Sequence, residues 1–215
     1  MEKTEAIMLS SVKYGDNRLI LNAYTRECGR MTLSVVIPKT RNRASALPYC
    51  QPLFQNEIEY TARGNIRRAA RITPTFTYRT IPFDTAKMSV VIFLSEILTK
   101  TLTYAEKNDD LYNFIATSLQ ILDDPQYKGV NFHIKFLLQL TKYMGFDIGA
   151  EHLIMPPYTL TLNRILESDF IECEQLELSG DIRSQLLKKT LDYYRLHFET
   201  LENIKSLEVL QKIFH

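Results

Sequence analysis

The spacing of apolar residues changes near residue 80, and this change limits the possible folds more than any other feature of the sequence. Before it, the apolar Met31, Leu33, Val35 and Ile37 alternate with Thr32, Ser34 and Val36, which is the period of a strand with one buried face. After it, Leu111, Ile115 and Leu119 recur at every fourth position, as in an amphipathic helix. We therefore predict an α+β protein with a strand-rich domain, residues 1–80, and an all-α domain, residues 81–215.

The first domain has five segments with strand character, separated by turns such as Cys28-Gly29-Arg30. Five short antiparallel strands in a domain of this size predict a small closed barrel, and the five-stranded oligonucleotide-binding (OB) fold is the obvious candidate. An SH3-like barrel would have much the same pattern. The predicted strands are residues 5–12, 19–23, 30–37, 54–60 and 66–72.

The second domain has the periodicity of a helical bundle. Asp84 is a suitable N-cap for a first helix that runs through Leu102. Further helices are predicted for residues 111–122, for 132–144 before Gly145, from an N-cap at Asp181, and from near Ser206.

The two domains carry opposite charge. Residues 1–80 contain 13 Lys and Arg against 6 acidic residues, a net charge of +7, whereas residues 81–215 contain 13 against 19, a net charge of −6. A basic module joined to an acidic one indicates a polyanion as one partner and a different molecule as the other.

The sequence offers little for catalysis, metal binding or membrane insertion. Its Cys and His residues have no metal-ligand or redox spacing, and the motifs of nucleotide hydrolysis, acyl transfer and metalloprotease chemistry are absent. The adjacent acids Asp109-Asp110 and Asp123-Asp124 fit a helix N-terminus and a turn. The start of the chain does not resemble a signal peptide, and the longest apolar run, residues 90–94, is far shorter than the roughly 20 residues of a membrane span. We expect a cytoplasmic binding protein without enzymatic activity, cofactor or metal.

The basic residues of the first domain form two groups that we predict to contact phosphates. A cationic loop at the mouth of a barrel follows a nucleic-acid backbone and releases counterions. Strand alternation predicts that Arg67 and Arg71 share one face and that Arg68 lies on the other. Four tyrosines, Tyr14, Tyr24, Tyr49 and Tyr60, are either stacking surfaces for bases or parts of the barrel wall. The predicted DNA-binding residues are Lys39, Arg41 and Arg43 in the loop, and Arg63, Arg67, Arg68 and Arg71 at the end of the barrel.

Taken in order, several short motifs resemble the bacterial recombination mediator RecO family. They begin with residues 4–9, Tyr14-Gly15-Asp16 and Gly29-Arg30, and continue with Gln51-Pro52-Leu53. In the helical half, residues 136–140, Met144-Gly145-Phe146, 193–198 and 205–207 are similar to the family's central and C-terminal helices. The resemblance implies an OB barrel and a helical domain, binding of single- and double-stranded DNA, and strand annealing. It also implies work with RecR to load RecA onto DNA coated by single-strand-binding protein.

The chain departs from that family in two places. Many members have a four-cysteine zinc site after the central helix, but residues 147–163 contain no cysteine, so we predict no structural zinc. The family usually has a small residue before the basic loop, where this chain has Ile37-Pro38.

The helical domain is the expected partner-binding part of the chain. The acidic, apolar tail of single-strand-binding protein requires an apolar groove with a cation beside it, and the candidate cations are Lys188 with Lys189, or Lys205 with Lys212. Two alternatives to the DNA-repair interpretation remain open at this stage: an RNA-binding OB-fold accessory protein, and a helical adaptor that docks only proteins.

Overall fold

The computed structural model describes residues 1–37, 46–61, 64, 66–149, 152 and 158–214. The strands in these residues lie close to where the alternation of side chains predicts them, although β1 extends further at both ends. They are β1 (Glu2–Tyr14), β2 (Arg18–Thr25), β3 (Gly29–Val36), β4 (Gln55–Thr61) and β5 (Arg67–Pro74).

The strands close into a barrel in the order β1-β2-β3-β5-β4. β1 pairs antiparallel with both β2 and β4, which closes the barrel. β5 is inserted between β3 and β4 and runs parallel to β3. A simple meander would place β4 beside β3, so this order is that of a Greek-key barrel and confirms the predicted OB fold.

The barrel is filled by the inward-facing positions of its strands. Leu19, Leu21 and Ala23 of β2 are buried together with alternate residues of β3 and with Tyr60 of β4. Irregularities in strand pairing occur after Met8 of β1 and between Glu59 and Tyr60 of β4, where Ala70 of β5 has no partner. Such bulges bend a strand and change which face the following side chains occupy.

The helical segments agree with the predicted ones except in two respects. Asp84 caps the first helix as predicted, since its Oδ1 accepts hydrogen bonds from the backbone N–H groups of Ala86 and Lys87 at 2.8 and 3.0 Å. The predicted N-cap at Asp181 is wrong, because Ser179 caps that helix and Asp181 lies in its first turn. Two short helices, α4 and α5, were not predicted. In the described residues the helices are α1 (Thr85–Thr101), α2 (Asp109–Leu122), α3 (Phe132–Tyr143), α4 (Thr159–Glu167), α5 (Phe170–Glu174), α6 (Gly180–His197) and α7 (Leu207–Phe214).

The chain divides into two units that do not follow a single cut at residue 80. Met1–Tyr78 and Leu98–Tyr112 form the barrel unit, and Arg79–Ile97 and Asn113–His215 form the helical unit. α1 begins in the helical unit and ends in the barrel unit.

The helical unit is built around α3, most of which is buried. Phe132 stacks on Phe136 and Phe170 with ring centroids 5.9 and 4.9 Å apart. Lys135 is also buried, and its ammonium donates hydrogen bonds to the carbonyl oxygens of Ile165 and Leu166 at the end of α4. These bonds satisfy carbonyls that lack partners within the helix, and a cation there complements the helix dipole.

Asp123, interpreted from sequence as part of a turn, does more than end α2. Its carboxylate is buried and accepts hydrogen bonds from the backbone N–H groups of Arg79, Thr80 and Ile81 at 2.8, 2.8 and 2.9 Å. The Thr80 hydroxyl lies 3.2 Å from Asp123 Oδ1. This carboxylate therefore fixes the segment that leads into α1.

Candidate nucleic-acid interface and helical groove

The bulge at Ala70 decides which arginines of β5 face outward. Arg67 faces the barrel interior, where its Nη1 lies 3.4 Å from the Tyr60 hydroxyl and 3.5 Å from Cys28 Sγ. Arg68 and Arg71 are both exposed on the other side, because the bulge reverses the alternation between them. The prediction that Arg67 and Arg71 share a face is therefore wrong. The contacts of Arg67 with the barrel argue against a phosphate contact by this residue.

A groove of about 470 Å³ lies on the outer face of β2, β3 and β5. Arg18 and Arg68 line it, and in the described part of the chain neither has a carboxylate within 4.0 Å. Strand pairing places both arginines at this groove, one on each side of β3. Arg18 of β2 pairs with Val36 of β3, and Ser34 of β3 pairs with Arg68 of β5. The other described residues that line the groove are Tyr14, Ile20, Ser34, Val36 and Ile66.

Of the four candidate tyrosines, only Tyr14 is exposed. Its side chain is 66% exposed at the end of β1, whereas Tyr24 and Tyr60 are buried, at 0% and 1%. Tyr49 is partly buried against the barrel core. Tyr24, Tyr49 and Tyr60 therefore belong to the barrel wall, and Tyr14 alone is available to a ligand.

The outer face of β2 and β3 is covered at its opposite end, near Tyr24 and Arg30, by residues 105 and 106. The backbone N–H of Arg30 donates to the carbonyl of Ala105 at 2.9 Å, and the Tyr24 hydroxyl donates to the carbonyl of Glu106 at 3.1 Å. Gly29 permits this approach, since a Cβ at this position would lie 2.4 Å from the Ala105 oxygen. The open part of the face is therefore the end near Tyr14.

Four of the predicted DNA-binding residues, Lys39, Arg41, Arg43 and Arg63, lie outside the described residues. Two described residues close to them in sequence line the groove: Val36, at the end of β3, precedes Lys39 by three positions, and Ile66 follows Arg63 by three positions. Arg18 was missed in the sequence because it is isolated from both basic groups. The sequence does contain a signal for its position: Arg18 alternates with Leu19 and Leu21 in β2, and because these leucines face inward, Arg18 faces outward.

A second groove, of about 340 Å³, lies between α6 and α7. Leu187, Leu191 and Leu207 form its apolar part, and Lys188 and Arg195 are its cations. Arg195 forms an ion pair with Asp192 at 2.6 Å. In the part of the chain described here, Lys188 has no carboxylate within 4.0 Å.

The other three predicted partner-binding lysines do not line this groove. Lys189 is exposed on α6, Lys205 is exposed before α7, and Lys212 forms an ion pair with Glu208 at 3.1 Å. Glu96 of α1 accepts hydrogen bonds from the backbone N–H groups of Lys205 and Ser206, which fixes the start of α7 next to Leu207.

Other reactive groups in the described residues do not assemble into a site. Burial raises the pKa of the Cys50 and Cys173 thiols to about 11, which keeps both protonated at neutral pH. No group of three or more His, Cys, Asp or Glu side chains in the described ranges is arranged to hold a metal ion. None of the helices within those ranges is long and apolar enough to span a bilayer.

Comparison with known proteins covers both halves of the chain. Residues 1–78 match the recombination protein O N-terminal family model, and residues 82–152 match the C-terminal model. A DNA repair protein RecO of Christiangramia forsetii is 31% identical over 98% of both chains, and one of Flavobacterium psychrophilum is 30% identical over 99% of this chain and 98% of its own. A RecO of Phocaeicola vulgatus is 27% identical over 100% of this chain and 99% of its own. The chain therefore belongs to the RecO family of DNA repair proteins.

Proposed function

We propose that this protein is a recombination mediator that binds single- and double-stranded DNA without sequence specificity, with its barrel as the DNA-binding part. The observation that carries the proposal is the groove of β2, β3 and β5, which Arg18 and Arg68 line from either side of β3 without a carboxylate partner in the described residues. Uncompensated arginines on the outer face of an OB barrel attract phosphates and release counterions when they bind them.

Further cations extend this interface in our proposal. Arg71 is exposed on the same side of β5 as Arg68, and Lys39, Arg41, Arg43 and Arg63 lie in the segments that adjoin the groove in sequence. Contacts to phosphates position a strand without reading its bases. A strand held in this way keeps its base edges free to pair, which is the requirement for annealing complementary strands.

A salt titration of DNA binding tests this proposal. Anisotropy of a labelled single-stranded oligonucleotide is measured for the wild type, for an Arg18→Gln, Arg68→Gln double variant, and for Arg164→Gln as an exposed control on α4. Each lost phosphate contact lowers the slope of log affinity against log salt by about 0.7 for single strands, so we expect the double variant to lose about 1.4.

An unchanged slope in the double variant would contradict the assignment of these arginines. Tighter binding of structured RNA than of single-stranded DNA of equal length would instead favour an RNA-binding accessory protein. Absence of binding at low salt would leave the barrel as a protein-docking module.

We further propose that the helical domain receives protein partners, among them RecR, and that the protein thereby helps to load RecA onto DNA coated by single-strand-binding protein. For the acidic, apolar tail of single-strand-binding protein, the groove between α6 and α7 is the best candidate. Leu207 supplies accessible apolar surface beside the buried Leu187 and Leu191, and Lys188 supplies the cation that an acidic segment requires in a domain of net charge −6.

Charge reversal at two exposed lysines tests this second site. Binding of a labelled peptide with the tail sequence is measured for Lys188→Glu and for Lys212→Glu, the latter lying outside the groove. We expect Lys188→Glu to weaken peptide binding at least about tenfold, the equivalent of 1.4 kcal/mol, and Lys212→Glu to leave it nearly unchanged. Equal effects of the two variants would show that only the net charge of the domain matters.

A further inference from the structure

The groove on the barrel has an apolar floor as well as cations. Ile20, Val36 and Ile66 line it between Arg18 and Arg68, and Val36 and Ile66 are 39% and 53% exposed. Exposed apolar side chains contribute to binding when a ligand covers them with its own apolar surface and removes both from water. Phosphate contacts alone therefore do not account for the composition of the groove.

A DNA duplex does not provide that apolar surface. Its bases are stacked inside, and a protein surface that approaches from outside meets phosphates, sugars and the polar edges in the grooves. An unpaired strand exposes the faces of its bases, which stack on aromatic side chains and cover apolar ones. The combination of an exposed tyrosine, an aliphatic floor and two arginines matches an unpaired strand.

We propose that this groove is a site for unpaired nucleotides, in which a base stacks on Tyr14 while Arg18 and Arg68 contact the flanking phosphates. The inference rests on the proposed function and adds to it the residue that distinguishes single strands from duplex. Tyr14 takes this role because the other three candidate tyrosines belong to the barrel wall, and because its exposed side chain lines the groove that both arginines also line.

The extent of the site follows from its neighbours on the same face. The next outward-facing residue of β2, Asn22, receives a hydrogen bond from Thr32 at 3.0 Å and donates one to Ser10 at 3.1 Å. These side chains satisfy one another, so the apolar floor ends at this row. A volume of about 470 Å³ is that of a small-ligand site and accommodates on the order of one or two nucleotides.

Stacking on Tyr14 is compatible with annealing. A base that stacks uses its face and leaves its Watson–Crick edge free for a complementary strand. Once a duplex forms, the base returns to the interior of the helix and the contact with Tyr14 is lost. The site thereby holds unpaired strands and releases the paired product.

The test compares Tyr14→Ala, Tyr14→Phe and Tyr104→Ala with the wild type. Tyr104 is 94% exposed and belongs to the same unit but not to the groove, so it is a matched control. Affinity is measured for an oligothymidylate strand and for a duplex across a salt titration. We expect Tyr14→Ala to weaken single-strand binding about 5- to 150-fold, the range for loss of one stacked base, with no change in duplex affinity or salt slope. Tyr14→Phe and Tyr104→Ala should bind as the wild type does.

Equal weakening of single-strand and duplex binding by Tyr14→Ala, or no weakening of either, would overturn the stacking role. These outcomes differ from failure of the proposed function, in which the wild type itself would not bind DNA. A loss of binding in Tyr14→Phe as large as in Tyr14→Ala would also overturn the inference, because phenylalanine retains the stacking face and lacks only the hydroxyl.

Discussion

Replacement of Asp123 should destabilise the protein more than any other single carboxylate substitution that the structure suggests. The side chain is buried, and its two oxygens accept hydrogen bonds from three consecutive backbone N–H groups, those of Arg79, Thr80 and Ile81. Hydrogen bonds to a charged acceptor contribute about 1.5–3 kcal/mol each, but neighbouring bonds are not additive. Water can accept hydrogen bonds from some of the N–H groups that lose the carboxylate. We therefore expect Asp123→Ala to lower the free energy of unfolding by about 3–5 kcal/mol.

The asparagine variant separates charge from shape. The amide oxygen of Asp123→Asn can retain the position of Oδ1, which accepts from Thr80 and Ile81, but its NH₂ group then faces the N–H of Arg79. Two donors that face each other repel, so we expect this variant to lose about 2 kcal/mol. Asp124→Asn is the matched control, since Asp124 is exposed, and it should stay within about 0.5 kcal/mol of the wild type.

These differences in the free energy of unfolding are measured by equilibrium urea unfolding, followed by far-ultraviolet circular dichroism. They are obtained from the shift in the midpoint urea concentration, provided that the dependence of the free energy on urea concentration is unchanged. A loss for Asp123→Ala no larger than that for Asp124→Asn would refute the reasoning, because it would show that the buried carboxylate does not hold the segment before α1.

Two further substitutions test packing and buried charge. Gly29→Ala should cost about 3 kcal/mol or more, since its φ is positive and the new Cβ would meet the Ala105 oxygen, whereas Gly15→Ala, with positive φ but open space, should cost about 1 kcal/mol in the same urea assay. Burial lowers the pKa of Lys135 from its ordinary 10.5, so this lysine makes stability rise with pH from the lowered pKa up to 10.5, whereas the raised pKa values of the buried Cys50 and Cys173 thiols act in the opposite direction. The free energy of unfolding of the wild type minus that of Lys135→Met should therefore rise with pH in alkaline urea titrations, and a pH-independent difference would contradict the assignment.

The strands and most helices were predictable because their side chains alternate between buried and exposed with little ambiguity. The register inside β5 was not predictable from the sequence. Residues 67–72 contain two adjacent alanines, and small side chains do not reveal which of them faces the core. The bulge at Ala70 therefore escaped prediction, and with it the outward position of Arg71. α4 and α5 were missed because they are short.

The kind of site that we propose follows from the charge of the sequence, but the residues that compose it do not. The charge of residues 1–80 indicated a polyanion, yet clustering along the sequence selected Arg67, which contacts Tyr60 and Cys28, and omitted Arg18. Arg18 and Arg68 are 50 positions apart and line one groove only because β2, β3 and β5 are neighbours in the barrel. The choice among four tyrosines likewise required burial, which is a property of the folded chain.

The central claim, that the outer face of the barrel holds unpaired DNA, is tested most directly by mapping where the strand lies. A single-stranded oligonucleotide with photoreactive bases is bound to the full-length protein and irradiated, and the cross-linked peptides are identified by mass spectrometry. We expect the cross-links at Tyr14 and at Val36 or Ile66, the residues that line the groove. Cross-links confined to other surfaces, for example the helical unit or the exposed Tyr104, would contradict the account.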